Sequence, residues 1–220
     1  MLPKTGFLSD ASPELLDLLE ELSKEVRLKP KETLFEKDDP GDAVFAVISG
    51  SLETSVLSSD GRRLVLDVMK PGALFGEIAL FDPGPRTATI IAIEPTTLRR
   101  LKNSDVVAAI SESPRLAQDM IKLAGQRMRS MSNQIGDQVF LALSTRLARK
   151  ILHLTQDGDD VLEHLTMSQA YLADFVGATR EAVSKTLSEW SKLGIVSRSR
   201  RDIQIHDREA LEDLAAADLF

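Results

Sequence analysis

The 220-residue chain has no cysteine, one tryptophan, one tyrosine and three histidines, and each shortage removes a class of chemistry. Without thiols there are no disulfides, no thiolate metal sites, no cysteine-held iron–sulfur cluster and no thiol redox sensing, which suits a reducing compartment. His153, His164 and His206 all follow residue 150, which argues against a haem sensor in the first half. Charged residues are scattered, so no apolar run reaches the ~18 residues of a membrane span. The first residues carry no apolar signal region, and the expectation is a cytoplasmic protein without a membrane partner. No nucleophile is paired with a base and no metal ligands cluster, so an enzyme such as a nucleotide phosphodiesterase has nothing to rest on. Asp157, Asp159 and Asp160 do not make a calcium loop either, because the twelfth position counted from Asp157 holds Ser168 in place of glutamate.

What is present is apolar material for cores, 43% of residues, in a length that suits two domains. The net charge of −7 argues against bulk attraction to nucleic acid, but its distribution is uneven. Between Phe175 and Arg201 six basic residues (Arg180, Lys185, Lys192, Arg198, Arg200, Arg201) face two acidic ones, Glu181 and Glu189.

The hydrophobic period changes along the chain. Ser12-Pro13-Glu14 opens an amphipathic helix, with Ser as cap and Pro at its first position. Strand-like runs follow at 32–35, 43–48, 52–57, 64–69, 87–93 and 97–101, punctuated by Pro40-Gly41, Ser49-Gly50, Asp60-Gly61 and Pro71-Gly72. Many short strands with regular turns imply a sandwich or jelly roll. Ser104 starts a short helix, and Ser113-Pro114 a longer one over 114–135 that Gly136 is expected to end. Ala117, Ile121, Ala124, Met128, Met131 and Ile135 recur every three or four residues along it, the seam of a two-helix coiled coil, and predict a homodimer interface.

Phe75-Gly76-Glu77-Ile78-Ala79-Leu80, then Phe81-Asp82-Pro83-Gly84-Pro85 and Arg86-Thr87-Ala88, gather a phosphate site and a sugar site into one stretch. Gly76 lets backbone approach a ligand, the amides at Ile78 and Ala79 open a helical turn toward an anion, and Arg86 supplies a bidentate donor. Glu77 repels phosphate and suits a ribose 2′-hydroxyl. The stretch resembles the phosphate-binding cassette of cyclic-nucleotide-binding domains. That resemblance implies that Glu77 holds the ribose, Arg86 and the Thr87 hydroxyl the cyclic phosphate, and Gly76 with the following amides its other oxygen.

Downstream, 138–155 reads as helix, and Thr166-Met167-Ser168-Gln169 as a capping box opening a short helix that stops at Gly177. Thr179 caps a second helix, 180–193, ended by Gly194. Two helices joined by a glycine turn form a helix-turn-helix. Val183, Leu187 and Trp190 take its buried side, leaving Arg180, Glu181, Ser184 and Lys185 to reach base edges in the major groove. Strands at 195–197 and 203–205 bracket a basic wing, Arg198, Arg200 and Arg201, suited to phosphates. Ser168, Gln169 and Thr179 complete the expected DNA-contacting set.

Residues 166–196 resemble the winged helix-turn-helix of the Crp-Fnr family through Leu172-Ala173, Val176-Gly177, Thr179-Arg180-Glu181, Val183-Ser184-Lys185 and Leu193-Gly194-Ile195-Val196. With the cassette and the long helix in order, the resemblance spans nearly the whole chain and is closest to the family's cyclic-AMP-receptor branch. It implies an α+β protein: a β-roll effector domain with its dimerisation helix over 1–137, then a winged helix-turn-helix over 138–220. The implied function is a homodimeric bacterial transcription regulator, not an enzyme, with no covalent or metal cofactor. It would answer to cyclic AMP and bind palindromic DNA with TGTGA-like half-sites. A contact with RNA polymerase stays open.

Two departures bear on specificity. Lys185 stands where that branch has arginine, and an ammonium cannot form the bidentate fork. Met131-Ser132 matches a Thr-Ser pair that reaches adenine across two subunits, and Met131 offers only a weak sulfur acceptor. Arg127 matches a basic residue beside that site. The base preference therefore stays open among cyclic AMP, cyclic GMP and another metabolite, as does DNA binding without an effector.

Overall fold

The computed structural model describes residues 2–157, 160–199 and 202–216. It forms two compact units, Met1–Val56 with Leu66–Ser130, and Leu57–Val65 with Met131–Phe220.

In the first unit a 3₁₀ turn (Gly6–Asp10) and α1 (Pro13–Glu21) precede the strands. Ser12 caps α1 by accepting from the Leu15 amide at 3.2 Å. Its own N–H donates to Asp119, 2.9 Å away on α4 (Pro114–Phe140), which ties the two helices together. The strands are β1 (Lys24–Leu28), β2 (Thr33–Phe35), β3 (Ala43–Ser49), β4 (Leu52–Leu57), β5 (Arg63–Met69), β6 (Leu74–Phe75), β7 (Thr89–Ala92) and β8 (Thr96–Lys102). A short helical turn, α2 (Ile78–Phe81), lies between β6 and β7, and α3 (Asn103–Glu112) follows β8.

The strands make two four-stranded sheets, in the orders β1-β8-β3-β6 and β2-β7-β4-β5. Inward residues of both, among them Phe45, Val47, Leu52, Phe75, Ile90 and Leu98, form one core. The first sheet's other face is covered as well: Val44, Ala46, Leu74 and Leu101 pack with Leu15 and Leu19 of α1, Val106 of α3 and Leu116, Met120 and Leu123 of α4. Burial on both faces explains why β3 reads as an unbroken apolar run, Ala43-Val44-Phe45-Ala46-Val47, where a half-exposed strand would alternate.

The second unit contains α5 (Leu143–Thr155), short strands β9 (Gln156–Asp157), β10 (Asp160–Val161) and β11 (His164–Leu165), α6 (Gln169–Val176), α7 (Arg180–Lys192), β12 (Val196–Arg198), β13 (Ile203–Ile205) and α8 (Arg208–Ala216). β11, β13 and β12 form a three-stranded antiparallel wing beside α6 and α7. The architecture is α+β, with antiparallel sheets, a long helix and a winged helix-turn-helix.

Three local expectations are corrected. Gly136 does not end the long helix, which runs on to Phe140; an interior glycine costs only about 1 kcal/mol, and the break comes at Ala142, whose backbone is extended. The helix expected over 138–155 is thereby split between α4 and α5. The cap of α6 is Ser168, whose hydroxyl accepts from the Tyr171 amide at 3.2 Å, whereas the Thr166 hydroxyl bonds to Asp202. Sequence reasoning also missed β1 and β6, of five and two residues, too short or too polar to show a period.

Candidate functional site

The first candidate site is the turn between β6 and β7. Phe75 ends β6 buried and stacked on Phe45, ring centroids 5.4 Å apart, which fixes where the chain enters the turn. Gly76 follows at φ +83°, a left-handed conformation that favours glycine. A Cβ there would lie 2.9 Å from the Ala43 carbonyl oxygen and from Arg86 Nη1, so two neighbours require the missing side chain. Glu77, itself buried, then starts α2, and the Leu80 and Phe81 amides both donate to its carbonyl at 3.0 Å. The first backbone bonds thus come from Leu80 onward, leaving the Ile78 and Ala79 amides at the open end of the turn. Asn103, at the start of α3, donates to the Ala79 carbonyl at 3.1 Å and the Gly41 carbonyl at 3.2 Å, pinning the turn from behind.

Arg86 is 5% exposed. Its Nη2 donates to the Ala43 carbonyl at 2.9 Å and its Nη1 to the Gly76 carbonyl at 3.3 Å, while the guanidinium carbon lies 4.2 Å from the centre of the Phe35 ring. Nε is a buried donor with no acceptor among the described residues. Burial pushes the guanidinium below its ordinary pKa, and Asp42, 3.9 Å away, pulls it back. A charged, desolvated group with an unmet N–H is one an anion would complete. Thr87 is exposed beside it.

Glu77 Oε1 lies 3.3 Å from Nε of Arg127 on α4. The same guanidinium donates to the Leu74 carbonyl at 3.0 Å and stands 3.8 Å from the Asp67 carboxylate on β5. Gly76, Glu77, Ile78, Ala79, Arg86, Thr87 and Arg127 therefore all belong to the first unit. Met131 and Ser132 are exposed on the part of α4 that belongs to the second. Phe35, Asp42, Asp67 and Asn103 were not anticipated; they come from four separate segments, and no local motif marks them.

On α4, Leu116, Asp119, Met120 and Leu123 face the core. A separate side carries the predicted seam: Ile121 is 72% exposed, Met128 64%, Met131 56% and Ile135 64%, with Ala117 and Ala124 partly exposed between them.

The second candidate site is the face of α7. Gly177, at φ +65°, ends α6, and the Thr179 hydroxyl caps α7 by accepting from the Ala182 amide at 3.2 Å. Val183, Leu187 and Trp190 are buried, and Arg180, Glu181 and Lys185 project on the exposed side. Arg198 of the wing is folded onto this helix, donating to the hydroxyls of Ser184 at 3.2 Å and Ser188 at 2.6 Å. A base or phosphate contact by Ser184 or Arg198 would thus compete with that pair. Ser168 is half-buried and engaged as the α6 cap, with Gln169 next to it. Arg200 and Arg201 lie outside the described residues, as does Asp159. Among the described residues no group of three or more His, Cys, Asp or Glu could hold a metal, and no helix is long and apolar enough to cross a membrane.

A buried arginine and glutamate around a glycine turn, followed by a winged helix-turn-helix, pair a candidate ligand site with a DNA-binding fold, and sequence comparison gives the same pairing. The family model of the cyclic nucleotide-binding domain matches residues 25–113, and that of the Crp-like helix-turn-helix domain residues 145–214. A cyclic AMP receptor protein of Thermus thermophilus is 30% identical over 86% of this chain and 87% of its own. A CRP-like cAMP-activated global transcriptional regulator of Mycobacterium tuberculosis is 27% identical over 96% of both. Among solved structures, FixK2 from Bradyrhizobium japonicum superposes with a TM-score of 0.76 at 26% identity, covering 89% of this chain and 98% of that one. The chain belongs to the Crp-Fnr family of transcription regulators.

Proposed function

We propose that this protein is a homodimeric, sequence-specific transcription regulator under cyclic-nucleotide control, with cyclic AMP as its effector and cytoplasmic DNA as its target. Its effector domain spans 1–137 and its DNA-binding domain 138–220. The observation that carries the reading is the buried Arg86 guanidinium with an unpartnered Nε, set beside Gly76 and Glu77. The phosphate of a cyclic nucleotide supplies the missing acceptor, and Glu77 accepts from the ribose 2′-hydroxyl in the arrangement ordinary for nucleotide carboxylates. Two relatives, from M. tuberculosis and T. thermophilus, are described as cAMP-responsive, which favours adenine over guanine here.

The exposed apolar stripe of α4 supports dimerisation, since Ile121, Met128, Met131 and Ile135 follow one face at coiled-coil spacing. Two recognition helices related by a two-fold axis then read a palindrome, with Arg180 on guanine and Glu181 on cytosine. TGTGA-like half-sites are the expected target, read less strictly at the base facing Lys185. No step of this reading transforms the nucleotide.

Effector and operator are coupled through linkage, so operator DNA tightens cyclic AMP by the factor by which cyclic AMP tightens operator, about 1–3 kcal/mol. Calorimetric titration of cyclic AMP with and without operator measures this, and equal dissociation constants would remove the allosteric claim. A second reading, DNA binding independent of cyclic AMP or driven by cyclic GMP or another metabolite, is favoured by the thioether at Met131. The same titrations with cyclic GMP and a metabolite panel separate the two.

A further inference from the structure

The buried Arg86 guanidinium has a carboxylate beside it that is drawn to a different cation. Asp42, immediately before β3, places Oδ1 3.9 Å from Arg86 Nη2, beyond hydrogen-bond distance, while its Oδ2 accepts from Arg100 Nη2 at 2.5 Å. Of the charges around Arg86, Asp42 acts on it most strongly. The Asp42 side chain is 70% exposed and that of Arg100, on β8, only 26%, so the arginine is the more confined partner of the pair.

The sheet fixes where the three side chains meet. β3 pairs with β8 so that Phe45 lies opposite Arg100 and Ala43 opposite Lys102, and the Asn103 amide donates to the Asp42 carbonyl at 3.0 Å. The Asp42 backbone is thereby held next to Ala43, whose carbonyl accepts from Arg86 Nη2 at 2.9 Å. With the backbone pinned, the Asp42 side chain stands between two cations, and a shift of roughly 1 Å would bring it to hydrogen-bond distance of Arg86.

A carboxylate seated on Arg86 would do there what a phosphate does, supplying negative charge and accepting from the guanidinium, and the two anions would also repel one another. The carboxylate is part of the chain and always present, so what restrains it decides how open Arg86 is. We propose that Arg100 is a positioning residue of the phosphate site: by holding the Asp42 carboxylate it keeps Arg86 available to an anionic ligand. This rests on the cyclic-nucleotide reading above and adds to it a residue outside the cassette. Nothing in this role requires Arg100 to touch the nucleotide.

The test is calorimetric titration of cyclic AMP into four full-length proteins: wild type, Asp42→Asn, Arg100→Gln and the double variant. Arg100→Gln frees the carboxylate and is expected to weaken cyclic AMP by about fivefold, the ratio that a partly exposed ion pair supports. Adding Asp42→Asn to that variant is expected to recover most of the loss, whereas in wild type the same substitution gives a much smaller gain. Arg100→Met, which keeps an unbranched stem on the sheet, should behave as Arg100→Gln does. A lost long-range attraction between Arg100 and the phosphate, or a general loosening of the sheet, would let Asp42→Asn change affinity by the same factor in both backgrounds. That equality, or an unchanged affinity in both Arg100 variants, overturns the positioning role and leaves the nucleotide site standing. Cyclic AMP and cyclic GMP carry the same phosphate, so the coupling is expected with whichever of them binds. Wild type that binds neither overturns the site, and the role of Arg100 with it.

Discussion

Replacing Arg86 by methionine keeps an unbranched apolar side chain and removes the charge that lies over Phe35, and the free and bound proteins should respond in different ways. In the free protein two effects oppose. The bonds to the Ala43 and Gly76 carbonyls are lost, each made by a charged donor and contributing about 1.5–3 kcal/mol. A desolvated charge with an unpartnered Nε is also lost, and apolar replacement of such groups is often neutral or stabilising by about 1–4 kcal/mol. The net change in the stability of the free protein should be a loss of about 2 kcal/mol at the centre of those ranges, smaller than the two lost bonds alone would give. With nucleotide present nothing cancels: the phosphate loses its charged donor, and affinity falls by about 3 kcal/mol, roughly a hundredfold. Thermal unfolding with cyclic AMP at roughly 100 times the wild-type dissociation constant makes the difference visible. Ligand adds about 2.7 kcal/mol to wild type but only about 0.4 kcal/mol to the variant, for which the same concentration equals its dissociation constant. At about 2–4 °C per kcal/mol for a chain of this size, wild type rises by roughly 5–11 °C and the variant by about 1 °C. A variant that keeps the full ligand-induced rise would refute the phosphate role of Arg86.

Other consequences are equally direct. Ile121→Asp together with Ile135→Asp should give a folded monomer by sedimentation, since both side chains are exposed in the single chain and touch no core; a dimer that persists would place the interface elsewhere. Gly177→Ala should destabilise the DNA-binding unit by about 1–2 kcal/mol in denaturant unfolding, from its left-handed backbone. Adding Gln138→Ala, which clears the amide 2.6 Å from the new Cβ, should recover little of that loss; full recovery would show a clash and not backbone strain. Arg180→Ala should flatten preference at one guanine by about 1–3 kcal/mol while other positions keep theirs, and a uniform loss across all sites would move Arg180 to the phosphates.

The legible parts of the fold are those whose signal is local. The Ser12 and Thr179 caps, the left-handed Gly177 and the buried Val183, Leu187 and Trp190 all follow from residues within one turn of each other. The misread boundaries have a shared cause. Gly136 looks like a stop because glycine is common after helices, but an interior glycine costs little, so the helix runs past it to Phe140 and the break comes at the extended Ala142. Thr166 and Ser168 are both plausible caps two residues apart, and the choice is made by Asp202, distant in sequence, which engages the threonine hydroxyl.

The candidate nucleotide site divides along the same line. Gly76, Glu77 and Arg86 share one stretch, so their chemistry can be named from spacing, but their energetics cannot. Arg86 could be a solvated arginine on an open loop; what buries it is Phe35 on β2 and the Ala43 carbonyl on β3, brought to it by pairing of β2 with β7 and by the bridge between Pro40 and Pro85. That burial gives the residue its leverage. An exposed guanidinium meets a phosphate at little gain because water already satisfies both, whereas one that is desolvated and short of an acceptor gains most of a charge-assisted bond when the anion arrives. If Arg86 binds the phosphate as proposed, it is the sheet, more than the motif, that turns it from a surface charge into a receptor.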